Sequence, residues 1–400
     1  MMRLFINALA ASAGGGLTYI RNVLPHLSTR DDWGISIALS SNLCREFRSL
    51  RRIEFLEINR GVGQRFWYEQ SALPEMIRRS RADVLLSTGN FAIRRSPVPQ
   101  ILLSRNSIYL SPDFYRDLLK RREYRTWVEA RLRGILARKS IHWANLTVAP
   151  SEAFAADLTR WSKRRVLSIH HGFDYEEFTR DVSPLPADVN EKLLSAGECW
   201  KILFVSHYNY YRNFETLIRA LPLLRDRITD RPVKLLLTCN LAAGKNPGAY
   251  RVENAARLVR ELDVSEMIVE LGAIPYHQLH HVYRRADIYV SPAYTETFAH
   301  PLVEAMASGV PVVASDIPVH REICGAAGMY FPRFAPDVLA QMVTEVLASP
   351  ELAASMVDRG SERSRQFSWT NHVEQILELC QALAASGPIT APLRIRARRA

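Results

Sequence analysis

Apolar residues along this chain come in short runs, each followed by a stretch in which they recur every three or four positions. The runs at 3–8, 35–40, 53–58, 83–88, 100–104, 146–149 and 166–169 predict buried strands in the first half, with helices between them. The longest helical stretch spans about 113–145 and is studded with arginine. Over 181–200 two prolines and a polar run interrupt the periodicity, which reads as a connector. The alternation then restarts, with strands predicted at 201–206, 233–239, 267–271, 287–290, 310–314 and 329–331. Helices are predicted at 213–228, 250–262, 276–285, 301–308, 335–348 and 351–366, and a last one covers about 369–386. Strands alternating with helices signal βαβ units and parallel sheets, so the fold class is α/β.

Four hundred residues exceed one ordinary core, and two domains of fewer than about 200 residues each are expected. The pattern divides the chain into a first domain (1–180), the connector, a second domain (201–368), the last helix (369–386) crossing back to the first domain, and a disordered basic tail (387–400). The net charge of +11 is uneven: residues 1–185 carry 29 Lys and Arg against 18 Asp and Glu, and the remainder balances at 23 against 23. A basic half suits an anionic partner such as a membrane surface, although an arginine-rich solvated surface gives the same count. No nucleic-acid module or alternation of aromatic and basic residues accompanies it, which argues against nucleic acid. The five cysteines are scattered, form no C-x-x-C pair, and fit a reducing cytoplasm. No apolar run approaches the length of a membrane helix. The opening Arg3 and Leu4–Ala13 imitate a signal peptide but lead into Gly14–Gly16 and an amphipathic helix, as a first buried strand would.

Three places carry candidate chemistry. Gly14-Gly15-Gly16 follows the first strand and opens a helix, where backbone amides can approach a phosphate; a tight strand-to-helix turn needs the same residues. Ser206-His207 ends the restarted strand and Arg212-Asn213 begins the next helix. His207 and Arg212 are thus donors at the carboxyl end of a strand, where doubly wound sheets bind ligands, and Arg212 can fork two phosphate oxygens. In the third, a strand ends near Val290, a loop carries Glu296, and a helix begins near Pro301 with Glu304 about one turn inside it. The amides before Glu304 can hold a diphosphate while both carboxylates accept sugar hydroxyls.

Glu296, Glu304 and the following EAMASGVPVVASD resemble the signature of the retaining glycosyltransferases of family 4, which have the GT-B fold: two Rossmann-like, doubly wound domains facing a central cleft. Val148–Ser151 with Phe154, Gly172-Phe173-Asp174 with Phe178, and Ser206–Asn213 with Leu217–Ala220 are similar to further segments of that family. The likeness is strong over about 200–368 and mainly organisational over 1–180. It implies that Glu296 contacts hydroxyls of the transferred sugar and Glu304 the ribose. It implies that the backbone around Phe298, Ala299, His300 and Leu302 faces the donor, with Gly15 and Gly16 approaching the phosphates. Two positions depart from the family pattern. His207 stands where an arginine is usual and Arg212 where a lysine is usual, with the spacing kept. The usual first-domain histidine near the reacting sugar has no clear counterpart, and Arg105 or Asn106 occupies its place.

The resemblance implies retaining transfer of a hexosyl unit from a GDP-, UDP- or dTDP-linked sugar to a hydroxyl of a glycan or lipid-linked acceptor, by family habit in bacterial envelope polysaccharide synthesis such as lipopolysaccharide or capsule. Glu296, Arg212 and His207 would be catalytic. No D-x-D occurs, so neither an essential metal nor a cofactor is expected. Lys120, Arg121, Arg122 and Arg125 lie in the most basic stretch and are expected to face an anionic membrane, giving a cytoplasmic enzyme peripheral to the inner face of the cell membrane. Two other classes remain open: a sugar-nucleotide epimerase or hydrolase of the same fold, and a non-catalytic glycan-binding subunit.

Overall fold

A computed structural model of the chain describes residues 1–11, 14–246 and 250–385, with Val62 described by its backbone alone. The basic tail at 387–400 lies outside the described residues. The chain forms two compact units. The first comprises Met1–Tyr109, Glu129–His170 and the chain from Trp369 onward; the second comprises Leu110–Val128 and His171–Ser368.

The first unit holds a seven-stranded sheet of β1 (Met2–Asn7), β2 (Trp33–Leu39), β3 (Ile53–Glu57), β4 (Val84–Ser87), β5 (Gln100–Leu103), β6 (Leu146–Ala149) and β7 (Leu167–Ser168). The strands run parallel in the order β3-β2-β1-β4-β5-β6-β7. β1 and β4 consist largely of residues buried on both faces, as a sheet covered by helices on both sides requires. One face packs Leu4, Ile6, Ile35 and Ile37 with the helix Gly14–Ser28 and the last helix, Trp369–Ala385, through Tyr19, Ile20, Ile376 and Cys380. The other packs Phe5, Ala38 and Leu85 against Leu73 and Ile77.

The second unit repeats the plan with β8 (Trp200–Phe204), β9 (Val233–Leu237), β10 (Ile268–Glu270), β11 (Ile288–Ser291), β12 (Val312–Ser315) and β13 (Gly328–Phe331), ordered β10-β9-β8-β11-β12-β13 and all parallel. In both sheets the order reverses beside the first strand, between β1 and β4 and between β8 and β11. Such switch points open a crevice at the carboxyl ends of the strands.

The arginine-rich stretch departs from the single helix expected over 113–145. It forms Pro112–Lys120 and Tyr124–Trp143, parted at Arg122, whose φ of 58° is left-handed. The Ser111 hydroxyl caps the first piece by accepting from the Phe114 amide (3.2 Å). That piece groups with the second unit, tied by Arg333 to Asp113 (2.7 Å) and by the Tyr294 hydroxyl donating to Asp117 (3.2 Å). The 181–200 segment is likewise not plain connector, since Ala187–Ser195 is a helix that buries Val189 and Leu193.

Candidate functional site in the second unit

The loops after β8 and β11 flank the switch point and are stapled together. Asn213, left-handed at φ 56°, donates through Nδ2 to the carbonyls of Pro292 (3.0 Å) and Arg333 (2.6 Å). Its Oδ1 accepts from the Thr216 hydroxyl (2.9 Å), and the Tyr294 amide donates to the Tyr211 carbonyl (3.0 Å). Asparagine suits this place because it tolerates left-handed backbone while its amide bonds two loops of the site.

This staple sets Arg212 against Glu296, two residues that the sequence assigned separately to phosphate and sugar. Arg212 Nη1 donates to Glu296 Oε1, and both side chains are largely buried. The guanidinium carbon lies 5.2 Å from the Tyr211 ring centroid. Its Nε–H is buried and, among the described residues, has no hydrogen-bond partner. A buried unmet donor on a permanent cation costs stability unless a ligand satisfies it. His207 reaches the surface of the same loop. Partial burial of its ring, and then the charge of Arg212, lower its pKa below the ordinary histidine value, so it is neutral at pH 7 and acts there as a hydrogen-bonding group.

Glu304 lies in the helix His300–Ala307, which opens on left-handed Ala299 with Pro301 in its first turn. It is buried, and its Oε2 accepts from the Tyr283 hydroxyl (2.9 Å). Burial raises its pKa to about 7, and the tyrosine bond offsets part of that rise. Such a carboxyl is half-protonated near neutrality. Hydroxyls that bond its charged form would pull its proton off. Phe298 and Leu302 are buried side chains, so their backbone alone can face a ligand, and the Leu302 amide is already committed to the Ala299 carbonyl (3.0 Å).

The sequence reading missed two residues here. His171 Nδ1 lies 3.1 Å from His300 Nε2; the rings stack at 5.3 Å and 22°, with Phe298 5.5 Å from His171. His171 directly precedes the Gly172-Phe173-Asp174 segment already singled out, so the signal was adjacent. Tyr283 had no local signal, because only the fold brings the helix Leu279–Tyr283 under Glu304.

In the first unit, Gly14 takes a left-handed φ of 56° and the glycine turn opens the helix as expected. Arg105 Nη1 donates to the Gly15 carbonyl (2.8 Å) and Nη2 to the Thr88 carbonyl (2.6 Å), and the guanidinium lies 4.7 Å from the Tyr19 ring centroid. Gly16 lies close by, since a Cβ there would come within 3.7 Å of Arg105 Nη2. Burial lowers the Arg105 pKa to about 10, which leaves it cationic, and among the described residues it has no carboxylate in ion-pair range. Asn106 is not part of this arrangement: its Oδ1 accepts from the Ile108 amide (3.2 Å) in a local turn.

Of the four cations expected to face a membrane, Arg121 is excluded. It donates to Asp117 (2.8 Å) and Glu215 (2.7 Å), stacks on Tyr210, and is almost fully buried. Burial opposes its charge, yet the two carboxylates raise its pKa above the ordinary value. Lys120, Arg122 and Arg125 are exposed.

Two parallel sheets of the same doubly wound order, with a cation and two carboxylates at the second switch point, define an α/β protein of two doubly wound units. Residues 188–363 match the family model of glycosyl transferases group 1. The chain has the GT-B fold. It superposes on sucrose-phosphate synthase of Thermosynechococcus elongatus with a TM-score of 0.72 at 18% identity, covering 97% of this chain and 100% of that one. It also superposes on Anabaena HepE in complex with UDP-glucose (TM-score 0.71, 16% identity, 96% and 100% covered). In sequence it is 24% identical over 296 residues to D-inositol 3-phosphate glycosyltransferase of Corynebacterium urealyticum, covering 73% of this chain and 66% of the relative. It is 30% identical over 183 residues to the Corynebacterium glutamicum enzyme of the same name, covering 44% and 42%. The matches thus span just under two thirds and under half of those relatives.

Proposed function

We propose that the chain is a glycosyltransferase that moves a hexosyl unit from a nucleoside-diphosphate sugar to an acceptor hydroxyl with retention at the anomeric carbon. The observation that carries this reading is the unmet Nε–H of buried Arg212, held beside Glu296 at the switch point within the family-matched residues. A diphosphate would supply the missing acceptor. In the reaction the bond between the anomeric carbon and the phosphate oxygen breaks, and its electron pair leaves with the nucleoside diphosphate. Arg212, neutral His207 and amides at the start of the Glu304 helix stabilise that charge. The acceptor oxygen bonds the anomeric carbon on the same face and passes its proton to the departing phosphate oxygen. Glu296 holds sugar hydroxyls, Glu304 holds the ribose, and Gly15 and Gly16 approach the phosphates.

The names of the relatives make a phosphorylated polyol an acceptor to test beside glycan and lipid-linked acceptors of envelope polysaccharide synthesis. Arg105, a cation without a carboxylate partner, suits an anionic acceptor. The scattered free cysteines suit a reducing cytoplasm as the place of the work. Among the described residues no helix is long and apolar enough to cross a membrane.

Glu296→Gln is expected to lower kcat more than it raises the donor KM, because the sugar changes shape and charge as it reacts. Steady-state kinetics at saturating acceptor measure both, and small equal changes would contradict the assignment. Activity is expected to survive EDTA, since the cationic work falls to protein groups. Loss of turnover in chelator, restored by Mg²⁺ or Mn²⁺, would contradict that. Nucleoside diphosphate released equally fast without any acceptor would favour a hydrolase.

A further inference from the structure

The helix Tyr124–Trp143 has two apolar faces. One packs inward through Ala130, Gly134, Ala137 and Ile141. On the other, Tyr124, Val128, Leu132 and Ile135 are between 50% and 63% exposed. At 3.6 residues per turn these four lie within about 80° of one another, opposite the packed face. Single exposed apolar side chains are ordinary, but a continuous stripe is not.

The polar residues beside the stripe say what would cover it. The helix carries five cations, Arg125, Arg131, Arg133, Arg138 and Lys139, against one acid, Glu129, which is itself paired with Arg133. By the same helical geometry Arg138 borders the stripe on one side, Arg125 borders it on the other, and Lys139 falls within it. All three are exposed. A second copy of the chain docking stripe to stripe about a two-fold axis would bring these cations against one another, which is repulsive. An anionic bilayer surface meets both features: the stripe enters the boundary between headgroups and acyl chains while long cationic side chains reach lipid phosphates.

We propose that this helix is an in-plane membrane-binding element for anionic lipid surfaces, with Val128, Leu132 and Ile135 as its inserting edge. This moves the membrane contact off buried Arg121 and onto the exposed face of the next helix. It does not rest on the transferase reading, since it requires neither donor nor turnover.

The test is co-sedimentation of the full chain with phosphatidylcholine vesicles, with and without phosphatidylglycerol. Wild type is expected to bind the anionic vesicles at low salt, to bind pure phosphatidylcholine weakly, and to dissociate as salt rises. Leu132→Ser with Ile135→Ser is expected to weaken anionic-vesicle binding by about tenfold or more, from the lost apolar burial. Leu132→Phe with Ile135→Leu is expected to retain it, which separates a lost contact from a lost fold. Wild type that ignores anionic vesicles at low salt overturns the proposal, as does a serine double variant that binds as well as wild type. A concentration-dependent dimer in gel filtration that the serine variant abolishes also overturns it, by making the stripe a contact between copies.

Discussion

Arg212→Ala is expected to lower kcat by two to three orders of magnitude with its best donor. Removing one preorganised donor from a developing negative charge costs about 3–4 kcal/mol of barrier. Arginine forks two oxygens with parallel donors, whereas the two ring nitrogens of His207 point apart and cannot present that fork. The same substitution strands a mostly buried carboxylate at Glu296, so a loss of fold could imitate a loss of catalysis. The double variant Arg212→Ala, Glu296→Gln separates the two. It removes the stranded charge and is expected to recover much of the melting temperature while turnover stays far below that of Glu296→Gln alone. If the double variant turned over as fast as Glu296→Gln alone, Arg212 would be a structural partner of Glu296 and the phosphate assignment would fail.

Glu304→Gln is expected to act in opposite directions on stability and on donor binding. Burial lifts the Glu304 pKa from 4.5 to about 7. A carboxyl raised in this way contributes fully to the fold below its unfolded pKa, and that contribution is lost as pH rises through the folded value. At pH 8 the charged buried group is therefore a cost, on the order of 3 kcal/mol at about 1.36 kcal/mol per unit. Glutamine keeps an acceptor for Tyr283 without the charge, so the ligand-free variant should melt higher than wild type at pH 8 and nearly equally at about pH 4, below the unfolded value. Glu69, also raised to about 7 by burial, titrates in both proteins and cancels from the comparison. Donor affinity should instead fall in the variant. In wild type it should rise with pH between about 6 and 8, as the carboxylate form that bonds ribose hydroxyls becomes populated. Calorimetric titrations across that range read both effects; a wild-type affinity that does not change with pH would place the ribose elsewhere.

All thirteen predicted strands form; central ones such as β4, β5, β11 and β12 are buried on both faces and write themselves as short apolar runs that need no partner to be recognised. The break at Arg122 was not legible: no proline or glycine marks it, and Arg121 turns inward to meet Glu215, far along the chain. The carboxylates of the second unit were legible from their spacing and the motif around them. Their partners were only partly so. That Arg212 pairs with Glu296, that Tyr283 donates to Glu304, and that His171 stacks on His300 are consequences of topology, which brings loops together across the switch point. The exposed stripe on Tyr124–Trp143 was hidden for a different reason. With apolar residues on both faces the helix shows no single hydrophobic side, and its arginines dominated the reading.

The central claim is that the switch point of the second unit holds a nucleoside-diphosphate sugar through Arg212 and Glu304. Thermal unfolding of the full chain with a panel of UDP-, GDP- and dTDP-linked sugars tests it most directly. One nucleotide class should raise the melting temperature of wild type, by the equivalent of about 2.7 kcal/mol at a hundredfold its dissociation constant. The shift should shrink strongly in Arg212→Ala, Glu296→Gln and in Glu304→Gln. If no donor stabilises wild type, or if both variants respond as wild type does, the site is not where this account places it.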